Sequence, residues 1–253
     1  MMSAMSVGVY GLGRFGLFWA ELLSVHFPVV AYNRTPGRSV PDGVREVDLD
    51  DLMQADTIFL CTAISAMEPV LRQIAPLLRA GTTVIDTCSV KVYPIRLMEE
   101  ILPATVSLIG THPMFGPDSA VRGVQGLPLI LTPVRAPVET VSAWEEAFRQ
   151  IGLVIHRMTA AEHDYEAAYT QGVTHFIGRV LRDLDLKPSS ISTLGYRKLL
   201  EVMEQTCNDP WQLFVDLQRL NPYTGEMRNN LRASVDRIVE HFGDRRSKTD
   251  KSD

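Results

Sequence analysis

The sequence predicts a doubly wound α/β domain over residues 1–158, an all-α domain over 159–243 and a disordered tail over 244–253. Three observations predict it. Short apolar strands alternate with helices of about ten residues through the first domain, the pattern of a mostly parallel sheet. The first strand runs into Gly11-Leu12-Gly13-Arg14-Phe15-Gly16, a glycine loop that opens a helix. After residue 159 the strand pattern stops, and long apolar-periodic segments are separated by Lys187-Pro188-Ser189-Ser190 and Asn208-Asp209-Pro210.

Composition sets the outer bounds. The 253 residues are 45% apolar, enough to bury a sizeable core. Lys plus Arg number 25 against 30 Asp plus Glu, a net charge of −5, which argues against a nucleic-acid partner. The cysteines Cys61, Cys88 and Cys207 have no metal-type spacing and fit a reducing, cytoplasmic setting. The first residues lack a basic stretch, and the apolar run from Phe15 to Ala31 is broken by Glu21 and His26. Neither a signal peptide nor a membrane span is expected.

Taken in order, a buried strand over 6–10 leads through the glycine loop into a helix over 14–25 and a second strand over 29–32. In that setting the first glycine makes the tight turn. The second lets a pyrophosphate approach the backbone, and the third lets helix and strand pack closely. The helix N-terminus offers amides and a positive dipole to the phosphates. Further strands are expected over 57–61, 83–86, 106–110, 129–132 and 153–156, with helices over 68–78, 92–101 and 138–151. Long helices are expected over 160–185, 191–206, 211–220 and 222–242. The apolar surface of the 171–181 region favours a homodimer formed through the helical domain.

In a doubly wound sheet the site lies at the carboxyl ends of the strands. That edge gathers the glycine loop, Cys61, Thr62, Ser89 and His112. His112 stands in Thr111-His112-Pro113-Met114-Phe115-Gly116-Pro117-Asp118-Ser119, read as a stiff loop following a strand, which presents an acid/base group at a fixed position. At the end of the second strand an acid would hold the ribose 2′-hydroxyl of NAD. Asn33-Arg34-Thr35 stands there instead, so nothing repels a 2′-phosphate and Arg34, with help from Arg38, can meet one. NADP is the preferred cofactor on this reading, with NAD the alternative if Asn33 holds the ribose.

Four segments together with the glycine loop resemble the prephenate/arogenate dehydrogenase family. They are Asp86-Thr87-Cys88-Ser89-Val90-Lys91, the Thr111–Ser119 stretch, Gln171-Gly172-Val173-Thr174-His175-Phe176 and Ile191-Ser192-Thr193-Leu194-Gly195-Tyr196-Arg197. The resemblance spans roughly residues 6–240. It implies a Rossmann-type first domain and the oxidative decarboxylation of a cyclohexadienol in tyrosine biosynthesis. Hydride leaves C4 for the nicotinamide, the 4-hydroxyl loses its proton, and CO₂ departs as the ring becomes aromatic.

The residues fit those jobs. His112 is expected to accept the hydroxyl proton as a neutral imidazole. Ser89 bridges His112 and the nicotinamide or hydroxyl, and can also cap the following helix. Lys91 is expected as an anion contact. Gln171 and His175, four apart, share a helical face, and the resemblance implies that this face lines the substrate cavity. Arg197 matches the family's substrate-carboxylate arginine, and its planar fork suits that role.

Many relatives carry Ser-His-Leu-Pro where this chain has Thr174-His175-Phe176-Ile177, so the pocket wall differs. With no regulatory segment evident, any control by tyrosine is expected at the active site. No residue identified in the sequence separates prephenate from arogenate. The alternatives are an NADP-dependent β-hydroxyacid dehydrogenase or reductase, and a dinucleotide sensor without catalysis. The first would place a lysine on the 160–184 helix, which has none; the second would have lost His112 or Arg197.

Overall fold

The computed structural model describes residues 5–35 and 37–243, so the expected tail over 244–253 lies outside the described residues. Eight strands form one sheet in the order β3-β2-β1-β4-β5-β6-β7-β8. They are β1 Val7–Tyr10, β2 Val29–Tyr32, β3 Val44–Glu46, β4 Thr57–Leu60, β5 Thr83–Asp86, β6 Ser107–Pro113, β7 Pro128–Arg135 and β8 Val154–Arg157. Every pairing is parallel except β6 with β7. The exception has a simple cause: no helix lies between Pro113 and Pro128 to carry a crossover, so the chain reverses.

The central strands β1, β4, β5 and β6 are buried on both faces, and their side chains alternate between two cores. Val7, Val9, Phe59, Ile85 and Ile109 meet helices α1 (Arg14–Ser24) and α5 (Val138–Ile151) on one face, around Trp19, Trp144 and Phe148. Tyr10, Ile58, Leu60, Val84 and Leu108 meet α2 (Leu49–Leu52), α3 (Met67–Ile74) and α4 (Val92–Ile101) on the other. The sequence reading had no β3 and no α2. β3 is three residues at the sheet edge with only Val44 buried, and α2 is a single turn started by the Asp48 cap, both too short for periodicity to register.

The helical part comprises α6 (Ala160–Ala167), α7 (Val173–Asp183), α8 (Leu194–Asn208), α9 (Trp211–Leu220) and α10 (Thr224–His241). The continuous helix expected over 160–185 is instead broken by a π-helical turn over Ala168–Gly172. Two buried carboxylates tie these helices to the sheet's carboxyl edge. Asp164 of α6 accepts the backbone amides of Lys91 (2.6 Å) and Val92 (2.9 Å), the start of α4. Asp216 of α9 accepts the amide (3.0 Å) and hydroxyl (2.8 Å) of Ser65, in the short turn before α3. Each supplies from another element the cap that the local sequence lacks, worth about 1 kcal/mol.

Candidate active site

Between the carboxyl edge of the sheet and the helices lies a cavity of about 830 Å³. Its sheet side is lined by Gly13, Arg14, Phe15, Gly16, Cys61, Thr62, Ser89 and His112. Its helical side is lined by Tyr169, Gln171, Thr174, His175, Thr206 and Asp209. The π-helical turn matters here. Its extra residue per turn swings Tyr169, Thr170 and Gln171 toward the cavity just before α7 carries His175 there.

The glycine loop has the form a dinucleotide requires. Gly11 takes a φ of +99°, and a Cβ there would meet the Cys61 carbonyl at 2.6 Å. A Cβ on Gly16 would fall 1.9 Å from the Gly11 carbonyl, so α1 can approach β1 this closely only with glycine. A Cβ on Gly13 would meet nothing within 4 Å, which leaves open space beside an α1 N-terminus that no side chain caps. Those free first-turn amides and that space fit a pyrophosphate. Leu12 is buried in the core, and its amide donates to Asn33 Oδ1 (3.1 Å). Asn33 in turn donates to the Thr35 carbonyl (2.6 Å). Arg38 donates to the Leu12 carbonyl (2.9 Å) and so fastens the loop, while Arg34 is exposed just beyond β2. Arg14 pairs with Asp118 across the cavity mouth. Burial pushes the Cys61 thiol up to about 12, so it stays protonated and serves as packing against the loop.

His112 lies inside β6, opposite Ile130 of β7, rather than on a loop after the strand. The strand outruns the expected 106–110 because β7 pairs with it as far as Pro113. The imidazole is 4% exposed. Its Nδ1 lies 2.8 Å from His163 Nε2, which leaves Nε2 as the nitrogen turned to the cavity that His112 lines. Burial above all, then His163 and the Lys91 ammonium, hold its pKa well below the usual imidazole range. His112 is therefore neutral at neutral pH, a hydrogen-bond acceptor ready for a proton.

Three buried polar atoms on the cavity wall have no partner among the described residues: Ser89 Oγ, Gln171 Oε1 and His175 Nδ1. A ligand with donors and acceptors would satisfy them. Ser89 is not the cap of α4, because Lys91 holds the N-cap position and the Asp164 carboxylate takes the helix amides. His175 Nε2 faces Asp209 Oδ2 at 3.8 Å. Burial lowers the His175 pKa against the pull of Asp209, with Arg179 adding to the lowering. Burial likewise raises the Asp209 carboxyl, against His175 and Arg14.

Two expected contacts stand elsewhere. Lys91 is fully buried and does not reach the cavity. Its ammonium pairs with Asp86 and donates to the Thr111 carbonyl (2.5 Å), locking the ends of β5 and β6 together. A desolvated ammonium needs a carboxylate beside it, and Asp86 is that carboxylate. Arg197 lies on the exposed first turn of α8, donating to the Ser192 carbonyl (3.1 Å). Eight residues of helix, about 12 Å, part it from Gln205 on the cavity wall of the same chain. Sequence reasoning missed His163, Asp164 and Asp209. The adjacent His-Asp pair in α6, just after the capping box of Thr159 and Glu162, was the available signal.

A family model described as prephenate dehydrogenase, nucleotide-binding domain, matches residues 38–156, and one described as TYRAAT1-like, C-terminal domain, matches residues 180–253. Arogenate dehydrogenase 2, chloroplastic, of Arabidopsis thaliana is 33% identical, covering 95% of this chain and 71% of that protein. Arogenate dehydrogenase 1, chloroplastic, of the same plant is 32% identical over 95% of this chain, which spans 40% of that protein's length. A solved structure of prephenate dehydrogenase from A. aeolicus, in complex with hydroxyphenyl propionate and NAD+, superposes with a TM-score of 0.73. It is 16% identical, with 95% of this chain and 92% of that chain covered, and shares the fold.

Proposed function

Because this chain belongs to the prephenate/arogenate dehydrogenase family, we propose that it oxidatively decarboxylates a cyclohexadienol, arogenate ahead of prephenate, in tyrosine biosynthesis. The observation that carries the reading is His112: a buried, neutral imidazole whose free Nε2 opens into the cavity beside the glycine loop.

A bound oxidised nicotinamide dinucleotide supplies the acceptor for the hydride from C4. His112 Nε2 takes the 4-hydroxyl proton as that carbon becomes a carbonyl. The electron pair of the C1–carboxylate bond then enters the ring and comes to rest on the C4 oxygen as CO₂ leaves. His112 returns its proton to that oxygen, so the base ends each turnover as it began. Ser89 Oγ, unpartnered and on the same wall, is placed to bridge the hydroxyl and the imidazole. Gln171 and His175 hold the rest of the substrate from the helical side.

The preference for arogenate rests on Asp209. A carboxylate raised by burial gains from the α-ammonium that arogenate carries and that prephenate replaces with a keto group. The two relatives named arogenate dehydrogenases support the same choice. NADP is the preferred dinucleotide, supported by exposed Arg34 where an acid would otherwise select NAD.

Arg197 serves the substrate's carboxylate from a second copy of the chain. The exposed Ile191, Leu194, Leu199, Ile238 and Phe242 on the helical part support a homodimer there. Among the described residues no helix is long and apolar enough to cross a membrane. The three free cysteines suit a reducing compartment such as the cytoplasm.

The test is reduced-nicotinamide absorbance with arogenate and prephenate, each with NADP and NAD. Arogenate with NADP is expected to give the highest kcat/KM. Silence in all four, from a folded protein that binds a dinucleotide, overturns the proposal.

A further inference from the structure

We propose that His163 and Asp164 are positioning residues for the base: they fix the tautomer of His112 and share the charge it gains during turnover. The proposal rests on the reading of His112 given above, and its argument is a count of protons.

Asp164 is fully buried. Its Oδ1 accepts the Lys91 amide at 2.6 Å and its Oδ2 the Val92 amide at 2.9 Å. Backbone amides can only donate, so both oxygens act as acceptors, the role a carboxylate fills at both positions. His163 Nδ1, 2.8 Å from Oδ1, therefore carries a proton and donates it. A neutral His163 then has a bare Nε2. That atom sits 2.8 Å from His112 Nδ1, a contact that holds one proton. The proton belongs to His112 Nδ1, and His112 Nε2 is left bare toward the cavity. The chain Asp164–His163–His112 thus aims a lone pair at the position where a hydroxyl must be deprotonated. With His163 absent, nothing in the contacts of His112 selects this tautomer over the inactive one.

The same chain answers the cost of charging a buried imidazole. The groups facing the His112–His163 pair are Asp164 on α6, Lys91 and Asp86 at the start of α4 and the end of β5, and His175 with Asp209 across the cavity. Lys91 opposes a positive charge on His112, and its own carboxylate, Asp86, is already committed to it. Asp164 is the carboxylate in line. When the substrate proton binds His112 Nε2, the Nδ1 proton can shift to His163 Nε2, which places the positive charge against Asp164. His112, His163 and Asp164 are 4%, 2% and 0% exposed, so the proton has no path to water along them. None is required, because the phenolate formed as CO₂ leaves takes it back through the reverse shift.

Two measurements test the inference. The first needs no substrate. In protein labelled with ¹⁵N-histidine, long-range ¹H–¹⁵N correlation spectra of the wild type should show His112 protonated on Nδ1 and bare on Nε2. Protonation on Nε2 would overturn the proposal, whatever the protein's substrate. The second uses the reaction. In His163→Gln the side-chain carbonyl can still accept from His112 Nδ1 but cannot take a proton. A fall in kcat of about 10-fold is expected, with KM and dinucleotide affinity within twofold and the acid limb of the pH–rate profile displaced. In His163→Leu, which removes the acceptor too, the fall should reach about 10²- to 10³-fold. Wild-type kcat and an unmoved pH profile in the folded Gln variant would sink the relay. A wild type silent toward every cyclohexadienol would refute the proposed activity while leaving the first measurement to decide the tautomer.

Discussion

Replacing Asp209 by asparagine should convert a preference for the amino substrate into indifference or reversal. The substitution keeps shape and removes one negative charge. Asp209 Oδ2 stands 3.8 Å from His175 Nε2, and both side chains line the cavity, so a substrate ammonium seated beside them would lie about 4 Å from the carboxylate. At that distance two unit charges interact by about 4 kcal/mol in a medium of effective dielectric constant near 20. The Asp209 side chain is 33% exposed, and solvent there screens about half of the interaction. About 2 kcal/mol remains, close to a 30-fold effect on kcat/KM for arogenate. Prephenate has no cation to lose, so its kcat/KM should hold or rise. Initial rates of reduced-nicotinamide formation with each substrate, wild type against variant, give the ratio directly. The wild-type preference for arogenate should also weaken in acid, as protonation of the raised Asp209 carboxyl removes the same charge. A folded variant whose arogenate-to-prephenate ratio stays within twofold of wild type would refute the assignment of Asp209.

The base and the buried ion pair give two further expectations. His112→Asn should keep dinucleotide and substrate affinity while kcat falls by about two to four orders of magnitude. In the wild type the depressed pKa of His112 should leave kcat/KM flat down through the usual histidine range, falling only in stronger acid, because the neutral form is the active one; a midpoint near 6.5 would contradict the burial argument. Lys91→Met should leave Asp86 buried without its counter-charge and cost about 3–5 kcal/mol. For a chain of this size that lowers the Tm by about 6–20 °C in differential scanning calorimetry, and a shift under 2 °C would show that Lys91 is not structural.

What the sequence disclosed follows the range over which each signal acts. The glycine loop, His112, Gln171 and His175 were readable because a short motif or a helical spacing carries each of them. Lys91 was misread because nothing local says that a lysine between Val90 and Val92 is buried; its partner Asp86 reaches it only once β5 has turned into α4. His163 and Asp164 carry no local mark of burial, because the α6 segment that holds them joins the core only once it is docked on the start of α4. The π-helical turn ends on Gly172, but a single glycine inside a helical pattern does not announce a π-turn, and its position follows from the packing of the helices around it. Arg197 shows a different limit: its motif is local, whereas its distance from the cavity is a property of α8 as a whole.

The docking of the helices is inseparable from the chemistry. Asp164 spends one carboxylate on two tasks: it caps α4 through Lys91 and Val92, and it orients His163 toward the base. Lys91, whose amide Asp164 accepts, also holds Thr111, the residue before His112, through its ammonium. The helical part therefore reaches the base from two sides, through His163 to the ring and through Lys91 to the strand that carries it. A sheet domain cut off before residue 159 would keep the glycine loop and its fit to a dinucleotide. It would lose the cap on α4, the acceptor that sets the His112 tautomer and the Gln171–His175 wall. Dinucleotide binding and base function thus divide between the two parts of the chain: the first is built within the sheet, and the second exists only where α6 meets α4.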